Sequence, residues 1–260
     1  MTFADAAAYD AFMGRYSVLL APQLAELARV ADGQRALDVG CGTGALTGEL
    51  VARLGASSVS AVDPSVSFVE SVRDRHPGVD VRQAGAERLP FADDSFDTAL
   101  AQLVVHFMTD PVGGLAEMSR VTRPGGAVAA CVWDHAGGHG PLSAFWNAAR
   151  DLDGSVEDES ALAGTREGHL AALMTAAGLG GIEERALTVA VEHPSFEGWW
   201  EPFTLGVGPA GAYVAGLSDE GRAALRERCR EVLPDAPFVL TARAWAARGV
   251  ARIEVEPRSA

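Results

Sequence analysis

Along the first half of the chain, short apolar runs alternate with stretches whose apolar residues recur at helical spacing. The runs predict strands near 35–40, 58–63, 79–83, 96–102 and 127–134, and the periodic stretches predict helices near 44–54, 65–75 and 112–121. Strand and helix repeated in this order build βαβ units, which require a parallel sheet with right-handed crossovers. A helical stretch over 17–30 precedes the first strand and is stopped by Ala31-Asp32-Gly33. Pro124-Gly125-Gly126 is the expected turn into the fifth strand.

After Asp134 the pattern changes. His135 to Pro141 is rich in glycine, and 151–159 is acidic and expected to be exposed. Helical spacing returns over 165–177 with Gly178 as its stop, alternation over 182–191 predicts a strand, and 238–246 is the last strand candidate. Ser218, with Asp219 and Glu220 behind it, opens a helix to Leu233. The irregular stretch between, 194–216, carries Phe196, Trp199, Trp200, Phe203 and Tyr213.

The first strand breaks into Asp38-Val-Gly40-Cys-Gly42-Thr-Gly44-Ala45, a turn that opens a helix. Glycines without Cβ let such a backbone take left-handed dihedrals and approach a ligand closely. The second strand ends in Asp63, a carboxylate placed to accept from two ribose hydroxyls or, alternatively, to cap the next helix. Gly40, Gly42 and Ala45 also satisfy the G-x-G-x-x-A form of a dinucleotide fingerprint, so the turn by itself leaves an NAD-dependent oxidoreductase open.

Three further motifs follow in order: Ala86-Glu87-Arg88-Leu89-Pro90-Phe91 leading to Phe96-Asp97, Gln102-Leu-Val-Val-His106-Phe, and Glu117-Met-Ser-Arg120-Val-Thr-Arg123-Pro124-Gly125-Gly126. With the glycine turn they cover roughly residues 9–135, and together they resemble class I S-adenosylmethionine-dependent methyltransferases of the UbiE/Coq5-like small-molecule group. The resemblance implies a Rossmann-like, doubly wound α/β fold with a seven-stranded, mostly parallel sheet, its final strand antiparallel, and helical cap insertions. It divides the chain into a cofactor-binding core over 1–134 and, over 135–260, the rest of the sheet with substrate caps at about 135–165 and 194–236.

The same resemblance assigns surfaces to S-adenosylmethionine and its product S-adenosylhomocysteine. Gly40, Gly42 and Gly44 pack against the methionyl and ribose parts, Asp38 meets the ammonium or else braces the turn, and Pro64 offers an apolar edge to the adenine. Ala86 and Glu87 stand where the adenine amino group is read, although the family's aspartate is replaced here by Gly85. Gln102 lies against the methionyl part or faces water. Arg15 and Tyr16 resemble the segment that closes over the cofactor, with Arg15 paired to its carboxylate; an ordinary helix start is the equal alternative.

A sulfonium is already a good leaving group, so alignment supplies much of the catalysis and a base is needed only where the acceptor must lose a proton. His106 and His135, near the C-terminal ends of strands four and five, are the candidate bases, with packing or exposure as their alternatives; His139 shares the loop, and His76, His169 and His193 look like surface positions. Trp199, Trp200 and Phe203 are the candidate substrate contacts, or else the core of the cap.

The 260 residues suffice for one sizeable core with an added cap, and 48% hydrophobic residues without a bilayer-length apolar run predict a globular, soluble chain without a membrane span. No leader pattern is evident, so a cytoplasmic location is expected. A formal charge of −14 argues against nucleic acid as substrate and for a small-molecule acceptor. Lysine is absent, which removes Schiff-base chemistry and the lysine-assisted tyrosine of short-chain dehydrogenases. Cys41, Cys131 and Cys229 lack metal-ligand spacing, so they are expected as small buried hydrophobes and no metal is expected. Methyl transfer is the expected activity; the alternatives are the oxidoreductase and a cofactor-binding protein of the same fold without methyl transfer, and oligomeric state is left open.

Overall fold

In a computed structural model, residues 6–251 are described. Seven strands, β1 (Ala36–Val39), β2 (Val59–Asp63), β3 (Asp80–Gln83), β4 (Phe96–Gln102), β5 (Thr122–Trp133), β6 (Gly180–His193) and β7 (Phe238–Val250), form one sheet of order β3-β2-β1-β4-β5-β7-β6. β1 to β5 are parallel, and β7 runs antiparallel between β5 and β6. This is the parallel sheet that the strand and helix alternation predicts, in the doubly wound, seven-stranded form that the resemblance implies.

The helices are α1 (Ala6–Tyr9), α2 (Arg15–Leu27), α3 (Ala45–Leu54), α4 (Val66–Arg75), α5 (Pro111–Val121), α6 (Ser143–Leu152), α7 (His169–Ala176), α8 (Phe196–Trp200), α9 (Gly208–Gly216) and α10 (Asp219–Val232). A π-helical turn, Asp10–Gly14, joins α1 to α2. Along β5 the side chains alternate by face: Ala129, Cys131 and Trp133 join a core with α2, α3 and the caps, while Val128, Ala130 and Val132 join a second core with Leu115 and Met118 of α5 and Leu170 and Met174 of α7. Burial on both sides is why this strand has no polar face. All three cysteines are free and buried.

Two boundaries differ from the sequence pattern. β5 starts at Thr122, ahead of Pro124-Gly125-Gly126, because the sheet absorbs that turn as an irregularity: Phe96 pairs with Thr122, and the register then jumps to Thr98 with Ala127. β6 and β7 outrun their apolar alternation because each is the other's partner, from Gly180 with Val250 to His193 with Phe238.

β1 lies between β2 and β4, so the direction of the crossovers reverses there and a crevice opens at the carboxyl ends of β1 and β4. Over it lie the chain between β5 and α7 and the chain between β6 and β7. Their helices α6 and α10 pack on each other, with Arg228 of α10 paired to Asp151 of α6.

Candidate active site

The backbone of the glycine turn is pinned by the neighbouring strand: the amides of Gly40 and Cys41 both donate to the carbonyl of Val62, at 2.8 and 2.9 Å. Two glycines serve different ends. Gly40 has φ +71°, and a Cβ there would stand 2.5 Å from Val104, so this glycine lets the loop after β4 close onto the turn. Gly42 has φ +53° with nothing within 4 Å of its would-be Cβ, and it lines the open crevice. Gly44 is the N-cap of α3.

Asp63 ties the turn to the next helix. Its Oδ2 accepts from the amide of Gly42 at 2.9 Å and its Oδ1 from the amide of Ser65 at 2.8 Å. Burial pushes its carboxyl above the usual range against those two hydrogen bonds. Each oxygen keeps a lone pair, and the residue lines a cavity of about 110 Å³ together with Pro64, Phe68, Val104 and Phe107.

A smaller cavity of about 20 Å³ continues along the turn past Tyr9, Asp38 and Gln102. Thr47 donates to Asp38 Oδ2 at 2.6 Å, whereas Asp38 Oδ1 is buried without a partner. Burial raises this carboxyl to about 7, against the Thr47 hydrogen bond and with the Asp63 charge adding to the rise. Gln102 donates through Nε2 to the carbonyl of Ser17 at 3.0 Å and leaves its Oε1 buried and unpartnered. Two orphaned acceptors in one cavity complement a donor cation, and an amino-acid ammonium fits that requirement.

Across a wall of Tyr9, Leu103 and Phe107 lies a third cavity, about 40 Å³, lined by Phe12, Met13, Trp133, Leu142 and Val207 and by three polar groups, His106, His135 and Glu159. Leu103 holds φ +61°, an uncommon conformation for a non-glycine residue, directly after the end of β4. His135 is 9% and Glu159 5% exposed: the loop after β5 and the acidic segment after α6 are largely exposed, as composition suggested, but the first residue of the one and the last of the other turn inward. Burial lowers His106 to about 3 and His135 to about 4 and pushes Glu159 up to about 7. Trp146 donates its indole N–H to Glu159 Oε2 at 3.0 Å, and Glu159 Oε1 lies 4.0 Å from His135 Nε2.

Several expected site residues lie elsewhere. Tyr16 points from α2 into the core and is hydrogen-bonded with His193 Nε2 at 2.9 Å, and Arg15 reaches His193 Nδ1, the carbonyl of Ala11 and that of Gly198. Neither lines the crevice cavities at Gly42, where Tyr9 stands instead, although Arg15 borders an open cavity of about 480 Å³ with Thr43, Gly44 and Ala45 of the same turn. His193, expected at the surface, is 2% exposed. Ala86 is buried against the Gly114 region, and Glu87 accepts from the amides of Thr109 and Asp110 at 2.9 and 3.4 Å, so its carboxylate ties down a loop rather than facing the crevice.

Trp199, Trp200 and Phe203 form the core of the cap. Phe203 stacks on Phe145 with centroids 4.5 Å apart and 6° between the rings, Trp199 packs on Phe203, and Trp200 stacks on Phe196. None of the three lines the cavity beside the crevice. His139 remains exposed and pairs with Asp134.

Phe68, Leu103, Val104, Phe107 and Glu159 are not among the expected site residues, and Tyr9 belongs to the N-terminal run Tyr9 to Tyr16 whose resemblance points to Arg15 and Tyr16 instead. Phe107 and Val104 were legible as part of a motif, but nothing local distinguishes a wall from a core residue. Glu159 sat in an acidic run whose pattern suggested solvent.

A methyltransferase-domain family matches residues 37–130. The chain is 43% identical over 102 residues to a demethylmenaquinone methyltransferase of Mycobacterium sp. strain KMS, a match covering 39% of this chain and 43% of that protein. It is 32% identical over 158 residues to an uncharacterized protein of Mycobacterium tuberculosis, covering 60% of this chain and 57% of that one. The chain thus spans less than two thirds of the length of these relatives. In fold it is similar to a methyltransferase structure from Bacillus halodurans, with TM-score 0.60, 16% identity, and 90% of this chain and 99% of that chain covered.

Proposed function

The chain carries a class I methyltransferase domain, and from that premise we propose that it moves a methyl group from S-adenosylmethionine to a small-molecule acceptor by in-line displacement. The observation that carries this reading is the common wall: Tyr9, Leu103 and Phe107 line both the glycine-turn crevice and the apolar cavity with its three polar groups. A donor in one space and an acceptor in the other would meet across it, which is the proximity that this reaction needs.

When bound, S-adenosylmethionine supplies a methyl group on a sulfonium that leaves as a neutral thioether. This chain's residues bind and orient it. Asp38 Oδ1 and Gln102 Oε1 would receive its ammonium, the free lone pairs of Asp63 its ribose hydroxyls, and Pro64, Phe68 and Val104 its adenine. Phe12, Met13, Trp133 and Leu142 exclude water and suit a flat or lipophilic acceptor. His106 and His135 stand where an acceptor proton would be taken at a ring nitrogen.

The name of the mycobacterial relative points to a quinone-type acceptor, which agrees with that apolar lining. The charge of −14 weighs against nucleic acid. No described helix is long and apolar enough to cross a membrane. The division at residue 134 separates most cofactor contacts from the caps, while Tyr9, Phe12 and His106 contribute to the acceptor side from the first part.

The test is calorimetric titration with S-adenosylmethionine and S-adenosylhomocysteine, followed by label transfer from S-adenosylmethionine to a panel of phenols and quinols. Binding of both with transfer to at least one acceptor is expected. Tighter binding of NAD than of S-adenosylmethionine would overturn the reading in favour of an oxidoreductase, and cofactor binding without transfer to any acceptor would favour a binding protein.

A further inference from the structure

His106, His135 and Glu159 come from three widely separated segments, yet each offers a ligand atom within 4.8 Å of the other two, and all three are buried. We propose that they form a binding site for one divalent transition-metal ion of the zinc class, with an open coordination position facing the acceptor cavity. Spacing along the chain gave no sign of it, because the ligands follow β4, β5 and α6 and meet only at the crevice.

As they stand, the three groups are buried without adequate partners. His106 Nδ1 and His135 Nε2 have no hydrogen bond, and the 4.0 Å from His135 Nε2 to Glu159 Oε1 is too long for one. Among the described residues no arginine pairs with Glu159, and the one hydrogen bond to its carboxylate is from Trp146. Two imidazoles and a carboxylate removed from water in this way cost free energy that a shared cation restores. The Trp146 indole holds Oε2 and so aims Oε1 at the histidines, the role that outer partners play around metal-bound carboxylates.

The dimensions agree. Ligand atoms around a tetrahedral zinc at about 2.1 Å stand roughly 3.4 Å apart, so closure by an ångström or so of side-chain movement completes the site. The adjoining cavity of about 40 Å³ exceeds the space of about 10–15 Å³ that a water needs. Two histidines and one glutamate leave the fourth position open, as in catalytic rather than structural zinc sites. With the ion bound, His106 and His135 serve as its ligands and not as bases, and a hydroxyl or enol oxygen of the acceptor, made more acidic by the cation, is the ligand that this position would take. That last step rests on the proposed methyl transfer, whereas metal binding itself does not.

The full chain, stripped with a chelator, is titrated calorimetrically with Zn²⁺, and Co²⁺ loading is followed by visible absorption. One equivalent per chain is expected, with cobalt bands of a four-coordinate site containing nitrogen ligands. Glu159→Gln, which preserves shape, and His135→Ala should weaken zinc binding by at least about tenfold, and Trp146→Phe by about tenfold through the lost indole hydrogen bond. Zinc should also raise the melting temperature of the native chain and not that of Glu159→Gln. The proposal is overturned if the native chain takes up no stoichiometric zinc, a result independent of how any variant folds. It is equally overturned if His135→Ala binds as tightly as the native chain, which marks an adventitious ion. Parallel titration with S-adenosylhomocysteine separates the two readings: cofactor without metal refutes the metal site alone, and metal without cofactor refutes the methyltransferase reading alone.

Discussion

The two sides of the crevice are built in different ways. On the cofactor side, a continuous turn from Asp38 to Gly44 meets one strand end at Asp63, and the polar groups are braced by backbone amides a few residues or one βαβ unit away. On the acceptor side, Tyr9, His106, His135, Glu159 and Val207 come from five separate segments and are held by packing. The first kind of surface depends on local backbone geometry, and the second on a cap core that assembles only when distant aromatic residues find each other. The difference predicts where a mutation acts: on affinity on one side, on stability on the other.

The largest expected effect is at the cap. Phe203 is 2% exposed and stacked on Phe145, so Phe203→Ala should cost about 3–5 kcal/mol of stability. Thermal unfolding reads this directly, and cofactor affinity of the folded fraction should stay within about twofold. An unchanged melting temperature with a raised acceptor KM would restore the substrate-contact role and dissolve the contrast.

Asp63→Ala should act on the other axis. It removes the proposed acceptors for the ribose hydroxyls, worth about 1.5–3 kcal/mol per lost charge-assisted bond, so cofactor affinity should fall by at least about tenfold in calorimetry, beside a smaller loss of stability as the amides of Gly42 and Ser65 lose their acceptor. A variant with native affinity would remove Asp63 from the site.

Asp38 sharpens the comparison through pH. Its folded pKa of about 7 lies above the ordinary 3.8, so the folded protein holds a proton that the unfolded chain releases. Stability contributed by this group therefore declines as pH rises from about 4 to about 7, and the full penalty stands above 7. The ionised carboxylate that is costly in the free protein is the form that receives an ammonium, so cofactor affinity should rise over the same interval. Asp38→Asn should flatten both profiles; a native pH dependence of affinity in that variant would mean that another group governs it.

Gly42 carries a smaller expectation. Nothing lies within 4 Å of its would-be Cβ, so Gly42→Ala should cost only the left-handed strain of about 1–2 kcal/mol in stability, while its new methyl group projects into the crevice and weakens the cofactor. Gly40→Ala is the contrasting control, since its Cβ meets Val104 at 2.5 Å. If the two variants lose equal stability, Gly42 is a packing glycine too. Smallest of all is Glu87→Gln, whose carboxylate serves the amides of Thr109 and Asp110; cofactor affinity should stay within about twofold.

What the sequence by itself determined is the frame. Apolar runs alternating with helical periods dictate the parallel sheet, because each element's buried face is written in consecutive residues, and the motif order from Asp38 to Gly126 marks the turn, the carboxylate at Asp63 and the strand end at Gln102. The antiparallel direction of β7 came from the resemblance, not from periodicity, which carries no strand direction, and its place between β5 and β6 came from the structure alone. Only the tertiary structure decided that Tyr9 rather than Tyr16 faces the crevice, since residues seven apart on a helical segment share a face in an ideal helix and the π-helical turn at Asp10–Gly14 shifts that register. It also decided that Glu87 serves a loop, that Trp199, Trp200 and Phe203 fill the cap, and that Glu159 joins His106 and His135 in the dark. Such contacts depend on which distant surfaces are pressed together, and burial of that kind leaves no periodic trace in the chain.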